Sequence, residues 1–95
     1  MTQTGESQPR IPNKQYFRIG EVSRIVDVPA YVLRFWETEF PRIKPRRTAK
    51  GQRIYHRKDL DLILQIKSLL HEQKFTIKGA RKYLKEIKSL GLYKR

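Results

Sequence analysis

A chain of 95 residues is sized for one small domain, and with no cysteine it has neither a disulfide framework nor a thiolate metal site, so apolar packing must hold it. Its 22 Lys and Arg against 9 Asp and Glu leave a formal net charge of +13, which selects polyanionic partners: DNA, RNA or an anionic membrane surface. No apolar run is long enough to span a bilayer and Met1 to Gln15 has no signal-peptide-like apolar centre, so no membrane partner and a cytoplasmic location are expected.

Met1 to Gln15 is polar, contains Gly5, Pro9 and Pro12, and has no helical or strand period, which reads as a disordered arm. Periodicity starts after Tyr16: Ile19, Val22, Ile25 and Val26 fall on one face of a short helix. Asp27-Val28-Pro29 ends it, with Asp27 read as the cap of the next helix and Pro29 in its first turn. Two helices so closely joined have helix-turn-helix geometry. The second runs from about Pro29 to Thr38, with Val32, Leu33 and Trp36 turned to the first helix and Tyr31, Arg34 and Phe35 round its other side. Phe40-Pro41 closes it, since the residue before proline avoids helical angles.

Arg42-Ile43-Lys44 and Arg53-Ile54-Tyr55 then read as extended segments joined by a reversal at Thr48-Ala49-Lys50-Gly51. In this two-stranded wing Ile43 and Ile54 are expected to point inward, leaving Arg42, Lys44, Arg46, Arg47, Lys50 and Arg53 projecting. Leu60, Ile63, Leu64, Lys67 and Leu70 recur at helical spacing, with Asp59 favouring the start of that helix. A break is expected from His71 to Phe75. Thr76 then caps a last helix whose inner face is Ile77, Ala80, Leu84 and Ile87, with a stop at Gly91. The organisation is thus an arm over residues 1–15, one domain over 16–91 and a stub over 92–95.

The charge comes in two blocks. Arg42, Lys44, Arg46, Arg47, Lys50, Arg53, Arg57 and Lys58 form the first, without an acid among them, and the second follows from Lys74 onward with Glu86 alone opposing it. A basic hairpin beside a helix-turn-helix pattern favours binding over a merely solvated face, whereas the second block reads equally well as a solubilising helix face or as a reach to flanking phosphates. His56 and His71 are solitary and no nucleophile motif or Gly-rich phosphate loop occurs, which leaves no metal, no cofactor and no enzyme chemistry to assign.

Taken in order, Ile19-Gly20-Glu21-Val22, VLRFWE, a basic loop ending in GQRIY, RKDLDLILQIKSLL and FTIKGARKYL resemble the DNA-binding domain of the MerR family of bacterial transcription regulators over about Tyr16 to Leu90. The resemblance implies a mainly α fold, a winged helix-turn-helix with four helices and a two-stranded β wing. It implies sequence-specific duplex-DNA binding, with the helix from Pro29 in the major groove and the Arg42 to Tyr55 wing on phosphates. Arg34 and Tyr31 match the exposed side of that helix, Arg47 and Arg53 the wing arginines, and Tyr55 the aromatic that closes the wing. With Ala30, Arg46 and Lys50 these form the expected DNA-contacting set. Phe35-Trp36 stands where many members carry two tyrosines, and His56 where a serine or threonine is usual. RNA polymerase at the promoter is the further partner that the resemblance implies. In the family a long C-terminal helix pairs the protomers, and the residues after Leu90 are too few for several heptads, so this chain is expected to be monomeric and a longer parent a homodimer.

Two other functions fit the same charge. An excisionase-like factor would bend DNA for a recombinase. An RNA-binding or anionic-surface adaptor would use the basic blocks without base readout, but it needs stacking aromatics on an open face, and Phe35, Trp36, Phe40 and Tyr55 are expected to be taken up by packing or wing closure.

Overall fold

The computed structural model describes residues 10–89. Strand β1 (Tyr16–Arg18) leads into helix α1 (Ile19–Val26) and helix α2 (Ala30–Glu39). Strands β2 (Arg46–Arg47) and β3 (Arg53–His56) follow, then α3 (Arg57–Lys67) with a π-helical turn at Ser68–Glu72, and finally α4 (Ile77–Ser89). The four expected helices are present among the described residues. Residues 1–9 of the expected arm, Gly91 and the 92–95 stub lie outside them.

The α1–α2 junction differs from the expected capping. Asp27 does not start α2; it ends α1 in the left-handed region at φ 57°, and Val28 N–H returns to the Ser23 carbonyl at 3.2 Å. Ser23 Oγ donates to the Val28 carbonyl at 2.7 Å. Asp tolerates this conformation better than most residues do, which is why it suits a helix end as well as a helix start. The α2 cap is Pro29, whose carbonyl accepts from Val32 and Leu33 N–H at 3.0 and 3.1 Å.

The expected two-stranded wing is the β2–β3 hairpin, and β1 adds a third strand to its sheet in the antiparallel order β1-β3-β2. Its third strand is the Tyr-Phe-Arg stretch, too short for its alternation to stand out from the helical period behind it. The wing strand is also later than expected: Ile43 N–H turns back to the Phe40 carbonyl at 2.9 Å and Pro45 supplies no N–H, so pairing begins at Arg46. Residue alternation corrects the inward set as well. Phe17 pairs with Tyr55 and both are fully buried, which leaves Ile54 on the opposite face with only partial cover, while Ile43 is buried in the core as expected.

The core joins Val22, Val26, Leu33, Trp36, Leu60, Ile63, Ile66 and Leu84 with the sheet residues Phe17 and Tyr55. Ile11 packs against it and Lys14 pairs with Glu21, so these two residues of the expected arm are engaged with the domain. Lys67, at core spacing yet charged, reaches from α3 to the Val26 carbonyl at 2.7 Å and satisfies an end group of α1. Asp59 is buried and accepts the His56 N–H at 2.9 Å, which closes the start of α3. Helical structure runs further than expected, through His71 to Glu72, because the π turn returns Gln73 N–H to the Ser68 carbonyl; Phe75 N–H returns to that of Leu69. Thr76 Oγ1 then accepts from Gly79 N–H at 2.9 Å, the expected cap of α4.

Candidate nucleic-acid interface

An α-helix can present one side to a groove only if its other side is anchored, and α2 meets that condition. Leu33 and Trp36 are buried, with the Trp36 ring meeting His71 edge-on at 6.2 Å between centroids. The opposite side is open: Tyr31 is 68% exposed, Phe35 is 51% exposed, and Arg34 lies exposed between them. Ala30, in the first turn, is half-buried and offers little bulk to obstruct close approach. Phe35 therefore lies on the open side with Tyr31, four residues before it, where helix geometry places it, and not in the packing that the case against an adaptor assigned to it.

The hairpin beside α2 is built around Thr48. Its N–H donates to the Gln52 carbonyl at 2.9 Å, its carbonyl accepts from Gly51 N–H at 2.8 Å, and its Oγ1 accepts from Gln52 N–H at 3.1 Å. Gly51 sits at φ 82°, where a side chain would be strained, so the glycine of the sequence motif is required by the turn itself. Arg47 Nη1 donates to the Gly51 carbonyl at 3.2 Å while the side chain stays exposed, and Arg46 and Lys50 are exposed beside it.

Two expected contact residues are engaged within the fold. Tyr55 is 0% exposed, so it has no surface with which to touch a partner; its hydroxyl donates to Glu37 Oε2. Arg53 is half-buried and its Nε donates to Glu37 Oε1 at 3.1 Å. Glu37, on the side of α2 next to the wing, thus ties the hairpin to the helix through both carboxylate oxygens. Burial raises the Tyr55 phenol well above its ordinary value, and the Glu37 hydrogen bond and charge add to the shift.

Sequence reasoning missed Glu37 because its partners are 16 and 18 residues away. It also missed Arg18, which the register places in one row with Ile54 and Arg46 on the outer sheet face. Only the unrecognised third strand made that juxtaposition.

No helix among the described residues is long and apolar enough to cross a membrane, and no group of three or more metal-ligating side chains occurs among them. The arrangement presents one exposed aromatic and basic helix side next to a cationic hairpin.

Comparison with known proteins gives the same frame. The model of the MerR HTH family regulatory proteins matches residues 17–87. The HTH-type transcriptional regulators MlrA of Escherichia coli K12 and of Salmonella typhimurium LT2 are each 37% identical over 51 residues, which is 54% of this chain and 21% of theirs. The chain therefore spans about a fifth of the length of those curated relatives. A crystal structure of a transcriptional regulator of the MerR family from Bacillus cereus superposes with a TM-score of 0.65 at 27% identity, covering 73% of this chain and 51% of that one.

Proposed function

Because this chain belongs to the MerR family of helix-turn-helix regulators, whose members are transcription regulators rather than enzymes, we propose that it reads duplex DNA with α2 in the major groove and the Arg46–Lys50 hairpin on neighbouring phosphates. The observation that carries the reading is the exposed side of α2, with Tyr31, Arg34 and Phe35 held outward by the buried Trp36 and the hairpin fixed beside them through Glu37. A helix fits the major groove, and an exposed Arg34 can fork onto guanine O6 and N7, a contact that discriminates by about 1–3 kcal/mol. Tyr31 and Phe35 offer apolar surface to a thymine methyl. Arg46, Arg47 and Lys50 fix register through phosphates, and Ala30 lets the helix start approach the backbone.

Arg53 acts one step back, as the residue that sets the wing against α2, and Tyr55 does the same from inside. Recruitment of RNA polymerase at a promoter belongs to the same proposal. So does a monomeric state for this chain, which light scattering measures directly.

The test is an amide chemical-shift map of the isotope-labelled chain titrated with a mixed-sequence DNA duplex at moderate salt. Shifts at Ala30 to Phe35 and Arg46 to Arg53 are expected. Shifts confined to α4 overturn the reading.

A further inference from the structure

The loop after α2 meets α3 and α4 in a cleft of about 590 Å³. Its floor is Phe40, Pro41, Leu62 and Leu84. Phe40, Leu62 and Leu84 turn only their edges into it, Pro41 is exposed, and the aliphatic stems of the surrounding lysines extend the apolar surface. Its rim is cationic: Lys78, Arg81, Lys82 and Lys85 follow one another at i, i+3, i+4 and i+7 along one edge of α4, and Arg42 adds a cation from the loop.

We propose that this cleft docks an acidic segment of a partner protein, one that presents bulky apolar side chains flanked by Asp and Glu. Charge complementarity selects that occupant. Lys78, Lys82 and Lys85 have no acidic partner among the described residues, and four cations on one helix edge repel one another until an anion approaches. The fourth already shows the chemistry: Arg81 Nη1 holds Glu39 Oε1 at 2.9 Å, a carboxylate at the end of α2.

Duplex DNA would satisfy the rim but not the floor, since a phosphate backbone has no apolar group to insert. An amphipathic acidic segment uses both, in the manner of a helix laid in a groove. The volume is that of an ordinary ligand cleft, enough for one or two large side chains. None of Tyr31, Arg34, Arg46, Arg47 or Lys50 lines the cleft, so such a partner and DNA can be held together.

The experiment uses the whole labelled chain and a synthetic peptide in which Phe and Leu are flanked by Glu and Asp. A second peptide has the same acids with Phe and Leu replaced by Ala, and each is titrated with and without DNA duplex. The proposal expects shifts at Phe40 to Arg42, Leu62 and Lys78 to Lys85 that persist with DNA bound, and much weaker binding of the alanine peptide. It expects the Lys82→Gln, Lys85→Gln variant, whose sites are exposed and outside the proposed DNA surface, to bind the first peptide several-fold more weakly while its base preference and its salt slope on DNA stay unchanged.

Equal binding of the two peptides would reduce the cleft to a charge patch and overturn the proposal. Peptide shifts on α2 and the hairpin, or displacement by DNA, overturn it in favour of mimicry of DNA. Concentration-dependent shifts at the cleft without peptide overturn it in favour of a second copy of this chain. Failure to bind DNA while the peptide still seats in the cleft sinks the proposed function and leaves this one standing.

Discussion

The Tyr55 hydroxyl donates to the Glu37 carboxylate, and this bond from strand β3 to helix α2 ties the wing to the helix together with Arg53 on the other carboxylate oxygen. Glu37→Ala is expected to leave the buried phenol without its acceptor and to lower stability by about 1–3 kcal/mol. DNA affinity should fall further than stability explains, because Arg53 and the hairpin lose their registration against α2. Chemical denaturation and a fluorescence binding titration on the same variant separate the two; unchanged affinity in a still-folded variant would show that the wing needs no such tie.

The same pair predicts a pH dependence. The folded state raises the Tyr55 phenol, through burial first and Glu37 second, above the ordinary value of about 10. A raised value means that the protonated phenol is the form the fold prefers. The contribution is therefore complete below about pH 10 and is lost as pH rises through the folded value. The difference in tyrosinate absorbance between the parent chain and Tyr55→Phe isolates this step, which should lie above the ordinary phenol range. The variant should also lose less stability between neutral and strongly alkaline pH than the parent does. A Tyr55 step at the ordinary position is incompatible with the buried pairing.

Much of this architecture is legible in the residues, and most of what is not has one cause. Helices α1, α2 and α4 are set by local spacing, and the Thr48 to Gly51 reversal by turn chemistry, so each can be read from a short window. The third strand, the inward turn of Tyr55 and the clamp at Glu37 depend on pairing β1 with β3 across the whole of the helix-turn-helix. A window around Ile54 favours burying the isoleucine; only the register opposite Phe17 decides for the tyrosine. Asp27 shows the other limit, since one residue type serves helix ends of both kinds.

Two aromatics of α2, five residues apart, should behave oppositely. Trp36 is 2% exposed in the core, so Trp36→Ala should cost about 3–5 kcal/mol and bring the chain close to unfolding. Tyr31 stands in solvent, and Tyr31→Ala should change stability by no more than about 0.5 kcal/mol while weakening DNA binding. Thermal unfolding and a binding isotherm for each variant check the contrast. A Tyr31 variant that unfolds early would mean that the outward side of α2 is packed after all.

Two glycines should likewise respond with opposite sign to alanine. At Gly51 nothing lies within 4 Å of an added Cβ, so the penalty is backbone strain at φ 82° alone, about 1 kcal/mol. Gly20 lies within α1, has equal space and does not have a positive φ, so Gly20→Ala should stabilise by about 0.5–1 kcal/mol through helix propensity and a stiffer unfolded chain. Urea midpoints measure both; a neutral Gly51→Ala would mean that the turn relaxes to another type.

The exposed cations of the interface predict a salt law. If Arg34 goes to a base while Arg46, Arg47, Lys50 and one further cation engage phosphates, about four condensed counterions are released, and log affinity should fall against log salt with a slope near −4. Arg46→Ala should then make the slope shallower by about one and weaken all duplexes alike, since a phosphate contact carries no sequence information. Arg34→Ala should instead remove preference at one base pair, worth about 1–3 kcal/mol, and leave the slope nearly unchanged. The two variants measured on the same pair of duplexes across a salt series decide the assignment. If Arg34→Ala shifts the slope and Arg46→Ala the base preference, the helix and the hairpin have exchanged roles, and α2 does not lie in the groove.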